Sequence, residues 1–457
     1  MILVRIVPRH SRLLHALPAL LYAACAVAWQ SSAKASAWDV YGFGPDGIAA
    51  VSARAASATD GTASYYNPGG LAFSQGSRVA VSAAGMASGL EIQGKRQAIA
   101  DPVGLCASMD TDVPLQGPLA QRLRVGLGLH ALPASLMRLQ LHRSTMPFFP
   151  YYDARTQRLT AIPAVSFRPI EGFGVGVGAN VLAKVSGPID VREGQSRALE
   201  TILEQNAGTV VSWIAGIRFD PHRRLHLGLV YRQAFGVPFR VTTTANVAGI
   251  PLVVDVSAAQ ALYDPASLVF AAAAAPTDRL HFEVDGAWHR WSAWKGPLMS
   301  VDTTVSALSL SSKSPLGLFQ DSVSVRASGT WWLERTPSRE TAVIGGLGYE
   351  TSMLDPNARQ GRTNFVDGAK TSFGAGLSVL FPALVGRGLR LSLGVQAQHL
   401  AQFSQGKQAC TSVPCPAGTV VGPDTEHPDQ GIDNPGYPTL AGGGTLLVAS
   451  GGAEVSW

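Results

Sequence analysis

The chain has 457 residues, of which 46% are apolar and only 15% charged, and it holds 49 glycines. Soluble globular domains carry about 25% charged residues, so this composition argues against a water-solvated globule. Past the N-terminus no run approaches the ~18 consecutive apolar residues of a spanning helix. That combination suits a membrane β-barrel, whose lipid-facing residues recur at every second position.

Residues 1–37 read as an export signal. Arg5, Arg9 and Arg12 form a basic start, residues 13–29 an apolar core broken by Pro18, and Ala35-Ser36-Ala37 a small-x-small cleavage site. The mature chain is expected to begin at Trp38. The signal holds four basic residues, with Lys34, and no acidic one, so its loss removes most of the formal charge of +5. The basicity therefore belongs to export, and no nucleic-acid partner is expected. Residues 38–76, rich in Gly, Ala and Ser, show little alternation and are too apolar for a solvated tail; inside a wide barrel such a segment would act as a plug.

From residue 77 the pattern changes to period two, the mark of a strand with two unlike faces. In one segment Phe173, Val175, Val177, Ala179 and Val181 alternate with Gly174, Gly176, Gly178 and Asn180. In another Leu389, Leu391, Leu393, Val395 and Ala397 alternate with Arg390, Ser392, Gly394, Gln396 and Gln398. Such segments predict about fourteen strands, at 77–95, 104–115, 121–132, 157–169, 172–186, 206–220, 223–236, 265–276, 279–292, 318–333, 340–351, 370–382, 388–403 and 441–457. Connections near 170, 221, 277, 336 and 384 are short. Those at 133–156, 187–205, 237–264, 293–317, 352–369 and 404–440 are long. Tight periplasmic turns and long external loops have this asymmetry, and an even strand number leaves both barrel ends on one side. Phe167, Phe219, Trp331, Phe381 and Trp457 occupy the last outward position before the short-turn end, where an interfacial aromatic belt belongs. The alternating C-terminal segment ending in Trp457 is expected to be read by the outer-membrane barrel-assembly machinery.

The loop 133–156 is dense in apolar residues, including Leu136, Met137, Phe148, Phe149, Tyr151 and Tyr152. Such a patch at an external mouth either binds a ligand or packs against neighbouring loops and outer-leaflet lipid. Arg138 and Arg143 suit a carboxylate or lipopolysaccharide phosphates. Parity turns Lys184, Arg232, Arg326, Arg390, Glu283, Asp285 and His289 into the lumen. There they pair with one another, pin the plug, or meet a ligand, and Lys184 and Arg232 are the candidates for ligand contact. Cys410 and Cys415, close together in a Gly/Pro/Asp-rich loop, suit a disulfide; a metal site needs more ligands, although His427 and several acids follow. The glycines of 172–178 recur within a strand with no helix after them, so they are space left in the lumen and not a nucleotide loop. Neither metal spacing among the ten histidines nor a hydrolytic constellation is present.

The run Ala58-Thr59-Asp60-Gly61-Thr62-Ala63-Ser64-Tyr65-Tyr66-Asn67-Pro68-Gly69-Gly70-Leu71-Ala72 resembles the hatch signature of FadL-type long-chain fatty acid and aromatic hydrocarbon transporters. That family usually has Ala where Gly69 follows Asn67 and Pro68, which adds backbone freedom here. Val230-Tyr231-Arg232 and Trp288-His289-Arg290-Trp291-Ser292 are similar to family strands. The resemblance implies an all-β, transmembrane antiparallel barrel of about fourteen strands (residues 77–457) with an N-terminal hatch (38–76) in its lumen. It also implies a pocket near Trp38, Tyr41 and Phe43 that the mature N-terminus blocks. The expected function is uptake of hydrophobic compounds such as fatty acids or aromatic hydrocarbons across the cell outer membrane, without cofactor or enzymatic chemistry. Outer-membrane lipid and lipopolysaccharide would surround the barrel. The alternative is a structural or adhesive surface barrel whose loops are the working part.

Overall fold

The computed structural model describes residues 38–97, 103–131, 147–153, 159–186, 189–193, 199–203, 206–247, 250–303, 318–359, 364–384, 387–407, 434 and 436–457. The export signal and the Cys410–Cys415 pairing lie outside these residues. In chain order the strands are β1 (Arg78–Ile92), β2 (Lys95–Arg96), β3 (Val103–Asp112), β4 (Leu123–Ala131), β5 (Thr160–Ile170), β6 (Phe173–Ser186) and β7 (Ile189–Glu193). There follow β8 (Leu199–Leu203), β9 (Asn206–His222), β10 (Leu225–Arg232), β11 (Phe235–Val247), β12 (Ile250–Asp264), β13 (Ser267–Thr277) and β14 (Leu280–His289). The last are β15 (Met299–Thr303), β16 (Ser322–Arg335), β17 (Glu340–Glu350), β18 (Lys370–Leu384), β19 (Arg387–Gly406) and β20 (Thr439–Ser456).

Fourteen of these form one closed antiparallel wall in the order β1, β20, β19, β18, β17, β16, β14, β13, β10, β9, β6, β5, β4, β3, with β3 pairing back onto β1. Closure leaves no unpaired edge, the condition for crossing hydrocarbon with strands. Among the described residues no helix is long and apolar enough to cross a membrane. The seam runs from Arg78 opposite Ser456 to Ile92 opposite Gly442. Ser77 and Trp457 exchange backbone hydrogen bonds of 2.9 and 3.0 Å, so the barrel's two ends meet at the short-turn side.

The two faces divide as alternation requires. Leu393 is 63% exposed and Leu447 56%, whereas Gln396 is 3% exposed and Arg124 2%. At these positions apolar groups thus face outward and polar groups inward, the reverse of a soluble core. Phe219, Trp331 and Trp457 are exposed near the short turns, and Trp288 is exposed toward the other end. Five wall hairpins with short turns carry a register shift beside the turn: Phe167/Ile170, Leu225/Leu227, Ala274/Thr277, Trp332/Glu334 and Phe381/Leu384. An extra residue there bends and twists the strand where it must reverse direction.

Residues 38–76 pack against the inner face of this wall. The segment contains the short helices Trp38–Tyr41, Gly44–Ala49 and Ala63–Tyr66 and the 3-10 helix Pro68–Phe73. Its backbone comes so close to the wall that lumen-facing glycines are required. A Cβ on Gly176 would overlap Pro68, one on Gly216 would overlap Asn67, and ones on Gly374 and Gly394 would overlap the Ala49 and Pro45 carbonyls. The periodic glycines of β6 are therefore space, as their spacing suggests, and the space receives this segment. Gly69 follows the same rule. Its Cβ would lie 2.8–3.0 Å from backbone atoms of Gly216, Arg218 and Gly174, so closeness to the wall, and not backbone freedom, is what calls for glycine there.

A second sheet, in the order β15, β12, β11, β7, β8, lies mostly in the segments expected to be long loops. β7 and β11 run parallel, and the hairpin of β11 and β12 pairs from Phe235–Asp264 up to Val247–Ile250. Its β-branched runs, such as Val241-Thr242-Thr243-Thr244 and Val253-Val254, favour strand. The strand expected at 223–236 is accordingly divided between β10 and β11. The one expected at 279–292 stops at His289, and Trp291 enters a 3-10 turn, Trp291–Ala293.

Candidate ligand passage

Polar side chains of the wall tie the N-terminal segment down. The Asn67 amide donates to the Ala55 carbonyl at 2.7 Å and to the Ile217 carbonyl of β9 at 3.0 Å, while its oxygen accepts from the Gly69 amide at 3.0 Å. One side chain thus caps the 3-10 helix, which Pro68 begins, and fastens it to the wall. Arg232 donates to the carbonyls of Tyr65 and Tyr66 and lies over the Tyr65 ring at 4.6 Å. Glu283 accepts from the Ala56 amide at 2.6 Å, Asp285 from the Ala55 amide at 3.3 Å, and the Ser328 hydroxyl donates to the Ala53 carbonyl at 3.0 Å. Arg390 lies 3.9 Å from Asp46 and 3.6 Å from Glu454.

Within the segment Arg54 sits 3.3 Å from Asp60 and 3.8 Å from Asp46. Burial works to raise the Asp60 carboxyl, but Arg54 and Arg78 outweigh it and hold it at about 2. Burial pushes the Tyr66 phenol up to about 12, so it stays a neutral donor to the Phe43 carbonyl. A cavity of about 50 Å³ remains beside these charges, bordered by Asp46, Arg54, Asp60, Arg390 and Glu454. At that volume it is too small for a hydrophobic ligand such as an aromatic hydrocarbon.

Beyond the segment, toward the long loops, the lining becomes apolar. Residues 147–153, Tyr263 at the end of β12, the Trp291 turn, and the residues before β16 and before β18 converge in one buried cluster. The rings touch in sequence. Phe148 and Phe365 lie 5.3 Å apart, Phe365 and Phe319 5.4 Å, and Phe319 and Trp294 4.5 Å. Trp294 stacks on Tyr263 at 5.6 Å and meets Trp291 at 5.6 Å; Trp291 then meets Tyr151 at 5.8 Å. Tyr151 meets Tyr152 at 5.1 Å, and Tyr152 meets Phe149 at 6.3 Å. Pairs of this kind add about 0.5–1.5 kcal/mol each beyond area burial. Met86 and Leu90 of β1, Leu400 of β19, and Leu446 and Val448 of β20 close the cluster from the wall. Tyr41 reaches it from below, fully buried, its hydroxyl donating to the Met86 sulfur at 2.6 Å. The phenols keep polar partners: Tyr151 donates to Glu350 at 3.2 Å and Tyr152 to Gln398 at 2.8 Å.

Tyr41, Phe148 and Phe149, singled out from sequence, therefore meet in one chamber. Phe43 does not join them; it faces the other way, into a cluster with Tyr65, Tyr66 and Leu71. Phe148 and Phe149 are buried and not an exposed patch: Phe148 pairs in parallel with Phe365 and meets its ring. Trp38 opens a short helix and Lys184 pairs with Gly208 in the wall; the side chains of both, with Arg138 and Arg143, lie outside the described residues. Arg232 is occupied by the N-terminal segment and not open to the chamber. Sequence reading missed Tyr263, Trp294, Phe319, Phe365, Lys370 and Asp367. The Trp291/Trp294 spacing was the one local signal; the others sit singly in connections that only the closed barrel brings together.

A fourteen-stranded transmembrane barrel, its own N-terminal segment held against the inner wall beneath an aromatic chamber, is the class of protein that fold and site define. Among solved structures it is similar to a FadL homologue from Pseudomonas aeruginosa, at 11% identity over 91% of this chain and 98% of that one, with a TM-score of 0.57. It is also similar to the toluene transporter TodX of Pseudomonas putida and the toluene transporter TbuX of Ralstonia pickettii. Each is 13% identical, covers 92% of this chain and 99% of its own, and has a TM-score of 0.53. No protein-family model and no curated protein matches the sequence. The likeness is one of fold, the fold that the hatch-like run and the strand pattern led us to expect.

Proposed function

We propose that this protein is an outer-membrane channel for hydrophobic compounds, with residues 38–76 as its hatch. The observation that carries this reading is the chamber of contiguous rings at the loop end of the lumen, into which Tyr41 of the N-terminal segment projects. An apolar compound crosses a hydrated, anionic surface layer poorly. A ring-lined chamber offers it about 25 cal/mol per Å² of apolar area buried. Because the rings already touch one another, a ligand must part them, and parting them displaces Tyr41. Binding is thereby coupled to the segment that fills the lumen below. The similarity in fold to toluene transporters and a FadL homologue supports the same reading.

The test is uptake of radiolabelled naphthalene by cells producing the full chain, against chains lacking residues 38–45 and chains with Tyr41→Ala. The intact protein should raise uptake over cells without it. Deletion of 38–45 should abolish saturable binding while the barrel stays folded, as read by its heat-dependent mobility on gels. Uptake no greater than that of cells lacking the protein would sink the proposal.

A further inference from the structure

The rings do not by themselves distinguish a neutral hydrocarbon from an acid with an apolar tail; the charges among them do. Lys370, on β18, is 1% exposed, and its Nζ stands 4.0 Å from the centre of the Tyr151 ring. A cation so placed against an apolar chamber is what a carboxylate would seek. It is already taken. Nζ lies 2.9 Å from Asp367 Oδ1 and 3.1 Å from Oδ2, and donates to the Gly368 carbonyl at 3.3 Å.

Asp367 is fully buried and is held from its other side as well. Oδ2 accepts from the Ser352 hydroxyl at 3.1 Å and from the Met353 amide at 3.0 Å. Swinging it away would strand two buried donors along with the lysine. Other cations near the rings are engaged too, among the described residues. Arg359 lies 3.9 Å from the Phe403 ring centre and donates to the Asp367 carbonyl. Lys407 donates to Asn364 at 2.6 Å, and Arg326 lies 3.6 Å from Glu350. Among the described residues, an incoming carboxylate would lose its hydration and meet Asp367 and Glu350, both acidic, with Lys370 and Arg326 already matched by them. A neutral aromatic molecule would find ring faces and edges on several sides.

We infer that Asp367 is a specificity-determining residue: by neutralising Lys370 it makes the passage accept neutral aromatic compounds and refuse fatty acids. This rests on the uptake reading above.

The experiment is titration of the folded full chain in detergent at about pH 8, where a carboxylic acid is ionised, followed by fluorescence of the chamber tryptophans. The two probes are naphthalene and dodecanoate. The native protein should bind naphthalene saturably and dodecanoate at least roughly tenfold more weakly. Asp367→Asn should gain dodecanoate binding by a similar factor and keep its naphthalene affinity; adding Lys370→Met should remove the gain. Equal affinity of the native protein for both probes overturns the inference, as does a folded Asp367→Asn protein that gains nothing. Should Asp367→Asn not fold, Lys370→Met alone decides. Unchanged weak dodecanoate binding supports the inference, and a fall in it, meaning that the lysine already served the acid, overturns it. Binding of neither probe by the native protein defeats the uptake reading instead.

Discussion

Asn67 satisfies three backbone groups with one amide: the Gly69 N–H and the carbonyls of Ala55 and Ile217. Truncation would leave buried groups unpaired at about 1–3 kcal/mol. Asn67→Ala should therefore free the segment from β9 while the wall, whose ladders do not use this side chain, keeps its melting behaviour. Hydrogen exchange at residues 63–73 is the readout; protection equal to the native protein would show that the glycine-lined contacts hold the segment alone. The run Asn67-Pro68-Gly69 stood out in the sequence because it lies in the stretch, 58–72, that resembles a hatch signature. Its partner Ile217 lies 150 residues away and left no local sign. Arg232 makes the same point from the other side. Parity placed it in the lumen, but parity cannot choose between a ligand and a neighbouring carbonyl, and the carbonyls of Tyr65 and Tyr66 took it.

At the scale of elements, the N-terminal segment is polar where it meets the wall's charges and apolar where it meets the rings. Its short helices are too brief for periodicity to reveal, since each has fewer than two turns. Their positions come instead from wall glycines that admit the backbone. Asp60 makes its docking sensitive to acid. Its folded-state value of about 2 lies below the ordinary 3.8. The stabilisation from Arg54 and from Arg78 of β1 is therefore present above about 3.8 and lost as pH falls through 2. The segment should stay protected from proteolysis between neutral pH and about pH 4 and become cleavable near pH 2. Asp60→Asn should remove that dependence and loosen the segment at neutral pH; cleavage that is independent of pH in the native protein would contradict it. The external sheet of β7, β8, β11, β12 and β15 shows the opposite failure of sequence reading. Its β-branched runs favour strand, but they lie in connections that the length pattern marks only as long loops.

At the scale of the whole molecule, stability depends on which solvent each face meets. Leu393, 63% exposed midway along β19, faces hydrocarbon, so Leu393→Arg should cost about 2–4 kcal/mol in a bilayer. Equilibrium unfolding in lipid vesicles checks this, and a cost near zero would mean that this face does not contact lipid. The sequence by itself determined the strands of the wall, their two faces and the end at which the short turns gather. It could do so because the face of a strand residue depends only on its parity, and turn length only on local chain. What the tertiary structure alone decided is who meets whom inside. Ala56 reaches Glu283 across 227 residues, Tyr152 reaches Gln398 across 246, and the rings of four separate connections meet above Tyr41. Closure of the barrel makes those neighbours, and no periodicity along the chain encodes them.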